Sequence, residues 1–170
     1  MRIYLVRHPE VDAQGICYGR QDIPCKDGWQ EALLTLTNKL PLNLSVVSSP
    51  SLRCTQLADK ISSEFTKSDL LREMDFGHWE GRLWDDIPRE EIDTWAKDPK
   101  GYVIPGGESY TGLRDRVHQF VDLQPKDRDL ILVTHKGVIR AALELYSALD
   151  FEDVMKAELP FLGITEIHVG

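Results

Sequence analysis

Two wholly apolar runs rich in strand formers, Ile3-Tyr4-Leu5-Val6 and Leu130-Ile131-Leu132-Val133, leave this chain little choice of architecture. Strands with no polar alternation are buried on both faces, as inner strands of an α/β sheet covered by helices are. Each run ends in a histidine. Arg7-His8 follows the first and is closed by Pro9. Thr134-His135 follows the second, and Lys136-Gly137 then opens an apolar helix through Val138, Ile139, Ala141, Ala142 and Leu145. Open α/β sheets bind ligands at the carboxyl ends of their strands. A buried imidazole must find polar partners, so packing alone does not ask for two at equivalent places. Arginine offers a planar fork of donors suited to phosphate and neutral histidine offers a nucleophilic nitrogen, so the pattern points to phosphoryl chemistry.

At 170 residues and 42% apolar content, a single domain over residues 1–170 is expected. The 20 Lys and Arg against 28 Asp and Glu leave a net charge of -8, which disfavours a nucleic-acid or anionic-membrane surface. The same acidity speaks against a polyanionic substrate, because each further anion needs its own cation. A small-molecule phosphate ester is the expected partner, and oligomeric state is left open. Cys17, Cys25 and Cys54 are odd in number and form no CxxC pair, so neither a disulfide framework nor a thiolate zinc site is indicated. No apolar run approaches the roughly 18 residues of a membrane span and no signal-peptide pattern is present, so a cytoplasmic setting is expected. Nucleotide-binding glycine loops and HExxH spacing are both missing, and no metal or cofactor is called for.

Along the chain, Pro9 to Asp27 reads as a long loop, in which Arg20 either reaches the same anion as Arg7 or is simply solvated. Asp27 is expected to cap a helix carrying Trp29, Ala32, Leu33, Leu36 and Leu40 and stopped by Pro41. Residues 44–49 form a short strand. Ser51 to Phe65 forms a helix with Leu52, Leu57, Ile61 and Phe65 on its apolar face and Arg53 in its first turns. A third strand is expected over Ser68 to Arg72. Glu73 follows it, the best placed of several acids in a turn-rich segment whose Phe76 and Trp79 pin it to the core or line a pocket. Helices over residues 87–95 and 110–123 and a last strand over 162–169 complete the pattern. His118 and His168 read as inert.

The segments Leu5-Val6-Arg7-His8, Ser49-Pro50-Ser51-Leu52-Arg53-Cys54-Thr55, Glu73 with Phe76-Gly77-His78-Trp79-Glu80-Gly81, Gly106-Gly107-Glu108-Ser109 and Thr134-His135-Lys136-Gly137 recur in this order over nearly the whole chain. Together they make it similar to the histidine phosphatase superfamily, the phosphoglycerate-mutase-like group. The resemblance implies a three-layer α/β/α sandwich with a mostly parallel central sheet. His8 would be the phosphate acceptor, Arg7, Arg53 and a protonated His135 would hold the phosphate, and Glu73 would be the proton donor. Gln14 and Arg20 would add to the phosphate site, with Tyr18, Gln21, Trp79, Trp84 and Glu108 at the substrate rim. The loop Gly15-Ile16-Cys17-Tyr18-Gly19-Arg20-Gln21-Asp22-Ile23-Pro24 looks closest to α-ribazole phosphatase-like members, which implies hydrolysis of α-ribazole 5'-phosphate in cobalamin assembly. The alternatives are a phosphoglycerate mutase, a broad sugar-phosphate phosphatase, or a non-catalytic binder of phosphometabolites or phosphopeptides. Three positions depart from the family pattern: Val11 where threonine is usual, Gln14 where asparagine is common, and Lys136 in place of a frequent glycine.

Overall fold

The computed structural model describes residues 1–170 and sets the two apolar runs side by side. The strands are β1 (Arg2–Arg7), β2 (Ser45–Ser48), β3 (Thr66–Lys67), β4 (Leu130–Thr134) and β5 (Ile164–His168). They form one sheet in the order β3-β2-β4-β1-β5, parallel except where β5 runs antiparallel to β1. Ile3 pairs with Leu130 and Arg7 with Thr134. The ladder continues one step past the strands. The His8 N–H donates to the Thr134 carbonyl at 3.0 Å, and the Ser49 N–H donates to the Val133 carbonyl at 2.9 Å. His8, Ser49 and His135 are thereby brought to one edge of the sheet.

The helices are α1 (Leu33–Thr37), α2 (Leu52–Ile61), α3 (Arg89–Lys97), α4 (Tyr110–Asp122), α5 (Lys136–Tyr146) and α6 (Phe151–Lys156). Strand alternation sends Ile3, Leu5, Leu130 and Leu132 to one face, where they pack with Leu113 and Val117 of α4 and Val138 and Ile139 of α5. Tyr4, Val6, Ile131 and Val133 face the other way, onto Leu36 of α1 and Cys54, Leu57 and Ala58 of α2. The result is a three-layer α/β/α sandwich with a mostly parallel sheet. Each fully buried aliphatic side chain in it contributes about 1.5–3 kcal/mol. No helix is long and apolar enough to cross a membrane.

Three local expectations are corrected. Asp27 caps nothing: Gly28, at φ 85°, takes the position before a 3-10 turn over Trp29–Ala32, and α1 begins only afterwards. The third strand lies earlier than expected and is two residues long, because only Thr66 and Lys67 pair with β2. Ser68 then leads into a 3-10 turn that buries Leu71, whose carbonyl accepts from Thr134 Oγ1 at 2.9 Å. The helix after Pro50 stops at Ile61, and its buried face is Arg53, Cys54, Leu57 and Ala58, while Leu52 is exposed. An arginine thus occupies a position where periodicity places a hydrophobe.

Candidate active site

β1 ends by delivering Arg7 and His8 to a cavity of about 300 Å³, which His8 lines although it is only 2% exposed. Its Nδ1 lies 2.6 Å from the Pro9 carbonyl oxygen. A carbonyl can only accept, so Nδ1 carries the proton and Nε2 keeps its lone pair. Burial, reinforced by the positive charges of Arg53 and Arg7, holds the His8 pKa down at about 3 against the ordinary 6.5, with the Pro9 carbonyl opposing only in part. A neutral imidazole with a free Nε2 lone pair can act as a nucleophile at physiological pH.

His135 stands edge-on to His8, with ring centroids 5.1 Å apart. Its Nε2 lies 2.8 Å from Ser49 Oγ and 3.5 Å from Cys54 Sγ. Burial, followed by the neighbouring His8 and Arg53, pushes its pKa well below the usual range. The expectation of a protonated His135 runs against this direction: burial disfavours the charged ring while no anion lies beside it.

Arg53 is fully buried beside His8. It donates to the Gln21 carbonyl at 2.9 Å and the Gly19 carbonyl at 2.5 Å, and its guanidinium lies 5.3 Å from the centre of the Tyr18 ring. Arg7 donates to the Leu159 carbonyl at 2.5 Å and covers Phe161 at 3.8 Å. In both arginines Nε is buried with no acceptor. Buried donors without partners are costly, and an anionic oxygen would supply what is missing.

Glu73 enters the same cavity from the turn after Arg72. One carboxylate oxygen accepts from the Met74 N–H at 2.9 Å and the other from the Gly137 N–H at 3.1 Å, in the first turn of α5. A Cβ at position 137 would stand 2.2 Å from that carboxylate, so only glycine lets it rest on the helix start.

The structure brings Arg7, His8, Glu73, Tyr18 and Trp84 to the cavity, with Arg53 and His135 packed around His8; Gln14, Arg20, Gln21, Trp79 and Glu108 lie elsewhere. Gln14 is exposed and lines a separate recess with Glu10, Lys26 and Phe161, because the Val11–Cys25 bridge folds the loop back on itself. Arg20 pairs with Asp75 at 3.4 Å and Glu108 at 3.7 Å. Glu108 is itself gripped by Arg116 at 2.7 Å and by the Asp75 N–H at 2.9 Å. These residues tie the long loop to the segment after Glu73. Gln21 is exposed and serves through its backbone carbonyl. Trp79 is completely buried behind the wall, donating to Glu91 at 2.6 Å and stacked on Tyr102.

Reading the sequence passes over several residues. Glu80 accepts from the backbone N–H groups of Arg20 and Gln21 at 2.7 and 2.8 Å and so clamps the long loop. Phe76 and Trp84, both named from the sequence, are joined on the wall by Trp95, Tyr110 and Phe151, with Met155 beside them. Lys136 and Arg140 also line it. Their spacing of four residues on α5 is the one signal that could have paired them. The expectation that few cations remain for a second anion is overturned by these two. No three His, Cys, Asp or Glu side chains are grouped to hold a metal ion.

Comparison with known proteins agrees with this geometry at the level of the family. Residues 3–170 match the family described as "Histidine phosphatase superfamily (branch 1)". The chain is 29% identical to the adenosylcobalamin/alpha-ribazole phosphatase of Salmonella typhimurium, over 82% of this chain and 76% of that one. It is 27% identical to phosphoserine phosphatase 1 of Hydrogenobacter thermophilus, over 92% of this chain and 79% of the relative. A crystal structure of phosphoglycerate mutase from Thermus thermophilus superposes with a TM-score of 0.74 at 30% identity, covering 88% of this chain and 86% of the other. The chain belongs to the histidine phosphatase superfamily and is a hydrolase of that fold, acting on a small phosphate ester.

Proposed function

We propose that the protein is a phosphomonoesterase that works by two in-line transfers through a phosphohistidine at His8. The observation that carries this reading is the free Nε2 of a neutral, buried His8 beside two arginines whose Nε donors lack acceptors. In the first transfer Nε2 attacks phosphorus and the ester P–O bond breaks. Glu73 gives its proton to the departing oxygen. Arg7, Arg53 and a hydrogen bond from His135 balance charge on the equatorial oxygens. In the second, water attacks the phosphohistidine, Glu73 takes back a proton, and the N–P bond breaks to release inorganic phosphate.

Hydrolysis is preferred to return of the phosphoryl group because the wall is not sealed. Trp84 on the rim is 36% exposed, and water has access to a phosphohistidine beside it. The aromatic wall suits an ester with a flat, apolar body. α-Ribazole 5'-phosphate, a substrate class named for the Salmonella relative, fits that description, as do other aromatic esters of its size. Acid-labile labelling of His8 from a phosphate ester is expected, and His8→Ala should lower turnover by at least about 10⁴-fold. Full turnover by that variant would overturn the mechanism. Efficient interconversion of 2- and 3-phosphoglycerate without phosphate release would replace hydrolysis by mutation.

A further inference from the structure

A single turn from the far end of the chain, Leu159 to Gly163, makes four contacts with Arg7. The Arg7 N–H donates to the Gly163 carbonyl at 3.0 Å and the Leu162 N–H donates to the Arg7 carbonyl at 3.1 Å. Nη1 donates to the Leu159 carbonyl at 2.5 Å. The fourth contact is not a hydrogen bond: the guanidinium carbon stands 3.8 Å over the centre of the Phe161 ring, which lies 5.6 Å from the His8 ring, centre to centre. The Gly163 N–H closes the turn onto the Pro160 carbonyl at 3.0 Å, with Phe161 and Leu162 as its central residues. Leu162 sits at φ 58°, where such a turn ordinarily takes glycine. Its side chain packs into the cluster that holds Leu36 and Leu57, and a strained residue persists only where its surroundings fix it in this way. Phe161 is aimed at Arg7 by that anchored turn.

The chemistry of the contact suits the task of Arg7. Burial works against its cation, and Tyr18 and Glu73 oppose this only through space. A carboxylate bound to the guanidinium would steady the charge but would occupy donors that a phosphate needs. A ring attracts the cation through its face and leaves the edge free. Nη1 is held by Leu159, Nε is buried with no acceptor, and the edge that carries Nε remains for phosphoryl oxygens. The direction of that edge follows from the plane of the guanidinium, which Phe161 sets. Phe161 itself lines the separate recess with Gln14, Tyr18 and Lys26, so its influence runs through Arg7.

We propose that Phe161 is a positioning residue for phosphoryl transfer, its ring face fixing the Arg7 guanidinium so that the Nε edge meets the equatorial oxygens as phosphorus passes to His8. The inference rests on the phosphatase reading above and deepens it. In-line transfer depends on alignment, so loss of the ring face should weaken binding of the transition state more than binding of ground-state phosphate.

The test replaces Phe161 by mono-, di- and trifluorophenylalanine, which keep the shape of the ring while draining negative charge from its face, and in parallel makes Phe161→Leu and Phe161→Tyr. The measured quantities are kcat/KM for phenyl phosphate and the inhibition constants of vanadate, which mimics the transition state, and of inorganic phosphate. A stepwise fall in kcat/KM with each added fluorine is expected, reaching roughly tenfold in Phe161→Leu, with Phe161→Tyr within about twofold of the wild type. Vanadate should be weakened more than phosphate throughout. A flat fluorine series, which packing alone would give, overturns the inference without calling on the leucine variant to fold. A loss in Phe161→Tyr as large as that in Phe161→Leu, or equal weakening of vanadate and phosphate, overturns it as well. In each of these cases wild-type turnover leaves the phosphatase reading standing. No turnover of any ester by the wild type and no labelling of His8 would overturn that reading and this inference with it.

Discussion

The sheet edge and the cavity wall are built by different means. At the edge, His8, His135 and Arg53 are almost wholly buried, and their orientation is set by backbone carbonyls and Ser49. On the wall, the aromatics hold one another. Trp84 stacks on Trp95 at 6.1 Å and meets Phe76 edge-on at 5.8 Å, and no hydrogen bond fixes their positions. Directional bonds to a rigid sheet keep reacting groups in place, whereas ring-on-ring contacts tolerate repacking. The chemistry is accordingly expected to depend on the edge and the choice of substrate on the wall.

The sharpest way to break that division is Glu73→Gln. The amide oxygen can still accept from the Gly137 N–H, so the fold should survive while the proton donor is lost. A fall in kcat of roughly 10²- to 10⁴-fold with little change in KM is expected. A loss below tenfold would place Glu73 with the wall.

The next effect concerns stability. His8 and His135 both have pKa values lowered in the folded protein, so between about pH 6.5 and pH 3 the unfolded chain binds protons that the folded one refuses. Their contribution is fully present above pH 6.5 and is lost as pH falls, by about 1.4 kcal/mol per pH unit for each histidine. Urea unfolding at several pH values should give a shallower slope for His8→Asn than for the wild type. Identical slopes would mean that the edge is less sealed than its burial indicates. The smallest effect belongs to the wall. Trp84→Ala should raise KM for flat-bodied esters by roughly three- to tenfold and change kcat less than KM, and steady-state kinetics with an aromatic and an aliphatic ester would reveal the difference.

Much of the edge was legible because it is written locally. Arg7-His8 and His135 follow directly on apolar strands, and Glu73 follows a short turn, so neighbours along the chain disclose them. The wall was not legible in this way. Trp79 has the same local surroundings as a rim aromatic, yet its partners Glu91, Trp95 and Tyr102 come from later in the chain and draw it inside. Arg20 reads as a free loop cation until Asp75 and Glu108 are folded against it. Arg140 reads as one polar position on an amphipathic helix.

Sequence alone determined the strand-forming runs, the polar residues that end them, and hence the layered α/β/α arrangement, since burial on two faces and chain stiffness act over a few residues. Only the tertiary structure decided which aromatics face the cavity and which arginines are spent on internal acids. Those outcomes depend on contacts between segments that no local pattern encodes, and a charge or ring finds its role only when distant segments have taken their places around it.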